Sequence, residues 1–178
     1  MSNIKKQVIN DIIRLEGGYV NNPADKGGAT NYGITEKVAR DFGYKEAMED
    51  LPLELAKEIY ASQYWDINSL DDIAKLSDKV AFEVADTGVN MGTKVAAKFL
   101  QRSINVLNKR KSTELIVDGI IGKKTLAGLS NILREKSGEE VLLKALNILQ
   151  GYRYIELTEG RELNKTFIYG WLSHRVRL

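Results

Sequence analysis

Residues 4–34 read IKKQVINDIIRLEGGYVNNPADKGGATNYGI, and a change of pattern within them decides the fold. Ile4, Val8, Ile9, Ile12 and Ile13 recur at helical spacing, so the first half predicts an amphipathic helix with one apolar stripe. Gly17 and Gly18 follow where a left-handed cap is wanted. From Gly17 to Ile34, five glycines and one proline break the period, which predicts a long loop or a short twisted hairpin. Long irregular loops inside compact domains are commonly functional.

Working outward, helical patterning resumes over about Thr35–Phe42. Pro52 suits the first turn of another helix running to about Tyr64, with Leu55, Ala56, Ile59 and Tyr60 as its apolar face. Ser77 is placed to cap a helix carrying Val80, Val84 and Ala85 toward Asn90. Thr93 is placed to cap the next, whose inward face includes Ala96, Ala97, Leu100 and Ile104. A basic, Gly-containing connection over 108–124 precedes two more helices, near 123–135 and 139–158. The closing aromatic tail, Phe167, Tyr169, Trp171 and Leu172, is expected to pack back on the core. The pattern is therefore mainly α, a helical bundle with at most a small sheet after the first helix.

Composition narrows the chemistry. The chain has 178 residues, enough for one good core or two small subdomains sharing an interface. It has no cysteine and one histidine, His174, so thiol nucleophiles, disulfide scaffolds and Cys-ligated zinc are excluded. Zinc hydrolases generally draw on at least two histidines, and no nucleophile-elbow sequence precedes His174. Hydrolytic chemistry here falls to carboxylates, with no metal and no cofactor. No apolar run reaches the roughly 18–20 residues of a membrane span. Gln7, Asn10, Asp11 and Arg14 interrupt the N-terminal apolar stripe, so it reads as an amphipathic helix and not as a secretory signal. If the target lies outside the cytoplasm, something else must move the protein there.

Net charge is +2 but uneven: residues 1–90 hold 10 basic and 16 acidic side chains, and residues 91–178 hold 16 and 8. A basic second half suits an anionic surface, or is one of two solvated faces of opposite sign. Its basic residues are scattered without a recognised motif, so no nucleic-acid partner is expected.

Glycoside hydrolysis needs a protonated carboxylic acid beside the scissile oxygen. Glu16 stands in the last turn of the first predicted helix, where the negative end of the helix dipole disfavours a carboxylate. Its neighbours Ile13 and Leu15 would add desolvation in the same direction. Either this Glu is placed for reactivity, or it is an exposed helix-end residue that happens to precede Gly-Gly.

The run from Glu16 to Thr35, EGGYVNNPADKGGATNYGIT, resembles the signature of glycoside hydrolase family 108, lysozyme-like N-acetylmuramidases of phage endolysins and prophages. Ile59-Tyr60 with Tyr64-Trp65 is similar to that family's "IY…YW" stretch. Asp86-Thr87-Gly88-Val89-Asn90-Met91-Gly92 resembles its "D-x-A-V-N-x-G" motif, with Gly88 in place of the commoner Ala. Phe99-Leu100-Gln101, the stretch 118–126, and Gly170-Trp171-Leu172 through Arg175-Val176 resemble an adjoining peptidoglycan-binding-like domain.

What the resemblance implies is cleavage of the β-1,4 bond between N-acetylmuramic acid and N-acetylglucosamine, with Glu16 as general acid. It also sets Asp25 and Thr30 as candidates to orient water, although Asp25 sits in good turn chemistry, Asn-Pro-Ala-Asp-Lys-Gly. Tyr19, Asn31, Tyr32, Tyr64 and Trp65 are candidates for sugar contact, the aromatics by stacking or alternatively as core. Asp86 and Asn90 share a helix face, where Asn90 would bond an acetamido group or the pair would satisfy a buried helix end. The expected division is a lysozyme-like α+β catalytic domain over 1–92 and a helical peptidoglycan-binding-like domain over 93–178, packed as one monomeric unit. The resemblance further implies the glycan strands of peptidoglycan as partner, with synthesis in a host cytoplasm and holin-type release to the wall or periplasm. A lytic transglycosylase, a non-catalytic wall-binding or secretion-assisting protein and a nucleic-acid binder are the rivals.

Overall fold

The computed structural model describes residues 3–21, 28–109 and 114–176. They form two compact units, Met1–Ile67 and Asn68–Leu178. The architecture is mainly helical with a small hairpin, as the periodicity predicts. Among the described residues, no helix is long and apolar enough to cross a membrane.

In the first unit, α1 spans Asn3–Glu16 and buries Val8, Ile9, Ile12 and Ile13. It packs on α3, Leu53–Tyr60, which buries Ala56, Ile59 and Tyr60. Lys5, itself nearly buried, reaches Asp66 at 2.6 Å and ties the start of α1 to the end of the unit. α1 stops at Gly17, whose φ of +82° needs no Cβ penalty to be overcome. β1, Thr30–Asn31, pairs antiparallel with β2, Ile34–Thr35, around a two-residue turn. That turn places Tyr32 and Gly33 at φ +53° and +74°, the geometry that matches strand twist. Thr35 then caps α2, Glu36–Asp41, by accepting from Val38 N.

Pro52 stands at the N-cap of α3, one residue before the first turn. The helix does continue to Trp65, but over Ala61–Trp65 its ladder widens to the π form, which sequence period does not encode.

In the second unit, α4 (Leu70–Ala74) and α5 (Asp78–Met91) lead into α6 (Thr93–Leu107), and α5 packs on both α4 and α6. α7 (Lys123–Leu133) and the long α8 (Gly138–Glu159) pack on α6. Ser77 caps α5 as expected, its hydroxyl accepting from Val80 N at 3.1 Å and donating to Glu139 at 2.7 Å. Lys79 and Ser77 together hold the Glu139 carboxyl below the usual range. Thr93 is not the cap of α6: Gly92, at φ +93°, holds that position without a side-chain bond, and Thr93 is the first helical residue. The chain bends one residue earlier than expected because glycine is the residue that adopts such a φ readily.

The tail forms a further helix, α9, Ile168–Arg175, which packs on α8. Trp171 stacks on Tyr154 of α8 with ring centroids 5.0 Å apart, while Tyr169 stays 87% exposed and has no core role.

Gly88, inside α5, has room for a methyl group: a Cβ there would meet Thr93 and Asn68 at 3.7–3.8 Å, ordinary contact distances. Gly88→Ala should therefore stabilise the protein by about 0.5–1 kcal/mol through helix propensity, read as a higher urea midpoint. A lowered midpoint would mean the neighbours are less compliant than their spacing indicates.

Candidate active site

Glu16 is the last residue of α1 and directly precedes the left-handed Gly17; its backbone is described, and its side chain lies outside the described residues. Asp25 lies outside the described residues altogether. Beyond Glu16 the chain crosses to the hairpin, where Val20 and Thr30 exchange two backbone hydrogen bonds of 2.8 Å each. Thr30 thus anchors the far end of the segment that begins at Glu16, and its hydroxyl reaches the Val20 carbonyl at 3.5 Å.

Asn31 is 4% exposed, and its amide donates to the carbonyls of Met48 at 2.9 Å and Glu49 at 3.2 Å. It braces the hairpin against the 48–50 turn, so its amide nitrogen serves as a support of the fold. Tyr32 carries the turn's strained backbone, which for a non-Gly residue costs about 1–3 kcal/mol. Its carbonyl accepts from the Tyr60 hydroxyl at 2.8 Å, so α3 holds the turn in place.

Of the aromatic candidates, Tyr19 is 42% exposed and open to stacking on a ligand. Tyr64, half-buried, stacks on Tyr60 at 5.7 Å. Trp65 is 1% exposed and fills the interior of the first unit, so it has no free face for a sugar. The core reading of that residue is the one the fold supports.

Asp86 and Asn90 lie on α5, within the second unit. Asn90 donates its amide to the Asp86 carbonyl at 2.7 Å, back-bonding within its own helix. The Asp86 carboxylate is engaged on both oxygens, by Arg175 of α9 and by Gln150 of α8, the latter at 3.1 Å. Gln150 also donates to the Thr87 hydroxyl at 3.1 Å. Sequence reasoning missed Gln150, Tyr154 and Arg175 as partners of this motif, and the one available signal was that Arg175 sits in the closing motif. Tyr154 lies beside them, 2% exposed, with no hydrogen-bond partner on its hydroxyl among the described residues. Burial first, and then the Asp86 charge, push that phenol far above its ordinary pKa.

Tyr154→Phe should leave stability unchanged or raise it, because the hydroxyl removed is buried without a partner among the described residues while the stack on Trp171 is kept. A loss of more than about 1 kcal/mol in a denaturant titration would reveal a hydrogen bond of ordinary worth to that hydroxyl.

These features describe a helical protein with a candidate acid at the end of its first helix and a hairpin braced beside it in sequence. Residues 9–92 match the family Glycosyl hydrolase 108, and residues 95–176 match the Predicted Peptidoglycan domain. The chain belongs to the glycosyl hydrolase 108 family, with the peptidoglycan domain following, and is a glycoside hydrolase directed at peptidoglycan. Among solved structures it is similar to SagA of Brucella abortus, at 29% identity and a TM-score of 0.65, covering 95% of this chain and 87% of that one. Among curated proteins, none matches significantly. The hydrolase match ends at residue 92, so α4 and α5 fall within it by sequence while they pack with the helices that follow.

Proposed function

We propose that this protein is an endolysin-type N-acetylmuramidase, which hydrolyses the β-1,4 bond between N-acetylmuramic acid and N-acetylglucosamine with Glu16 as general acid. The observation that carries the reading is the position of Glu16, the final helical residue of α1 directly before a left-handed glycine. The last turn of a helix presents carbonyl oxygens, and their partial negative charge favours the neutral carboxyl that an acid catalyst needs. The reaction is a single displacement. Glu16 donates its proton to the leaving oxygen, and water attacks the anomeric carbon from the opposite face, oriented by Asp25 or Thr30. Family membership supports the substrate, and the anchoring of Thr30 to Val20 supports a fixed polar group beyond the acid.

Mass spectrometry of digested, purified peptidoglycan tests the reading. Reducing muramic ends are expected; anhydromuramic ends would make the protein a lytic transglycosylase, and intact strands would make it a wall-binding protein. Anomer analysis of the fresh product tests the role of Asp25. A water held by that carboxylate requires separation of about 6.5–9.5 Å from the acid and inversion to the α-anomer, whereas retention would make Asp25 a nucleophile. Asp25→Asn should slow turnover severely but less completely than loss of Glu16, because Thr30 still holds water.

A further inference from the structure

The second unit contains a cleft of about 290 Å³, away from the motif residues on α5, between the C-terminal end of α6, residues 114–115 and α7. Asn108, Glu114, Leu115, Lys124, Asn131 and Ile132 line it, with the Ala127–Gly128 step of α7 completing the wall. The cleft is built and not incidental. Asn105 clamps Leu115 from both sides, accepting from its N–H and donating to its carbonyl at 2.8 Å each, which fixes that rim to α6. Gly128 lets α7 approach closely: a Cβ there would stand 2.9 Å from Ile104 and 3.5 Å from Leu115. Leu115 and Ile132, both nearly buried, give an apolar floor.

The rim carries chemistry of both signs. Glu114 offers a carboxylate and Lys124 an ammonium, and neither has an ion-pair partner among the described residues. Asn108 and Asn131 add amide groups. Among the described residues no aromatic ring lines the cleft, so they offer no stacking platform of the kind a sugar face would use. A ligand with a carboxylate, an amine and small apolar groups fits this lining. Its size suits a few amino-acid residues, at the lower edge of ordinary small-ligand sites. In a peptidoglycan strand these groups occur together on the stem peptide, with its free carboxylates, diamino-acid amine and alanine methyls.

We propose that this cleft binds the stem peptide of peptidoglycan, setting a carboxylate on Lys124, an amine on Glu114 and alanine methyls on the Leu115–Ile132 floor. The proposal rests on the reading of the protein as one that acts on peptidoglycan. It assigns the peptide, and not the glycan, to this part of the chain.

Isothermal titration of the full chain with a synthetic stem pentapeptide, and in parallel with a peptide-free chito-oligosaccharide, tests it. Saturable binding of the pentapeptide is expected, weakened about tenfold or more by Lys124→Glu and by Glu114→Gln, since each removes a charge-assisted hydrogen bond. Both positions are exposed, and circular dichroism should show both variants folded as the parent. Absence of pentapeptide binding, binding unchanged in both variants, or loss of only oligosaccharide binding on Lys124→Glu overturns the assignment. Wall cleavage assayed on the same preparation separates the two readings. Cleavage without pentapeptide binding removes the cleft's role alone, whereas pentapeptide binding without cleavage removes the hydrolase reading and leaves the cleft.

Discussion

Glu16→Gln should abolish wall lysis, lowering the rate at least ~10²-fold, while the protein folds as before. The substitution replaces a hydroxyl or oxyanion by an amide of nearly the same shape, so the helix end keeps its form. Glutamine and glutamate have similar helix propensities, and the apolar stripe of α1 that holds the unit together is untouched. What is lost is the proton that the leaving oxygen must receive. The pH profile carries an independent signature. The acid acts only while protonated, so parent activity should fall as pH rises through the pKa of Glu16, and the residual activity of the variant should lack that limb. Turbidity clearing of purified walls gives the rate, and circular dichroism gives the fold. A normally folded variant with near-parental lysis would remove Glu16 from the chemistry and, with it, the mechanism proposed above.

The legibility of the fold followed physical range. Features written within one helical turn were readable: the spacing of Val8, Ile9, Ile12 and Ile13, the stop at Gly17, the start of a helix near Thr35 and the cap at Ser77. The short helix α4 was not, because five residues hold little more than one period, and its entry through Ser69 at φ +50° has no composition signal. The π turn at Ala61–Trp65 keeps the same apolar residues and changes only the hydrogen-bond step. At the site, the position of Glu16 could be read because it depends on the helix end alone. The engagement of Asn31 with Met48 and Glu49 could not, since an amide beside a turn looks the same whether it faces solvent or backbone. The pairing of Asp86 with Arg175 was the least accessible, joining two motifs 89 residues apart, each of which reads sensibly alone.

That pairing should make Arg175→Ala one of the most destabilising single substitutions in the second unit, by about 2–4 kcal/mol. The Asp86 and Arg175 side chains are 16% and 24% exposed, so the cost of stranding the carboxylate is large but below that of a fully dry pair. Gln150 would remain as a partner on one oxygen, a neutral donor that offsets the charge only in part. Arg175→Lys should recover only some of the loss, because an ammonium on a flexible stem does not reproduce the planar guanidinium. Asp86→Asn combined with Arg175→Ala should cost clearly less than the sum of the two single changes, since the double variant leaves no unpaired charge. Urea titrations of the four proteins give the coupling, and a value under about 0.5 kcal/mol would reduce the contact to an ordinary surface pair. The consequence reaches beyond one ion pair. Asp86 falls in the hydrolase match and Arg175 in the peptidoglycan match, yet both belong to one packed unit. A chain ending at residue 92 would keep α5 but lose α6 and α8, which pack on it, and α9, leaving the Asp86 carboxylate without either partner. The hydrolase segment of this protein therefore depends on the segment behind it for the structure of its own last helix.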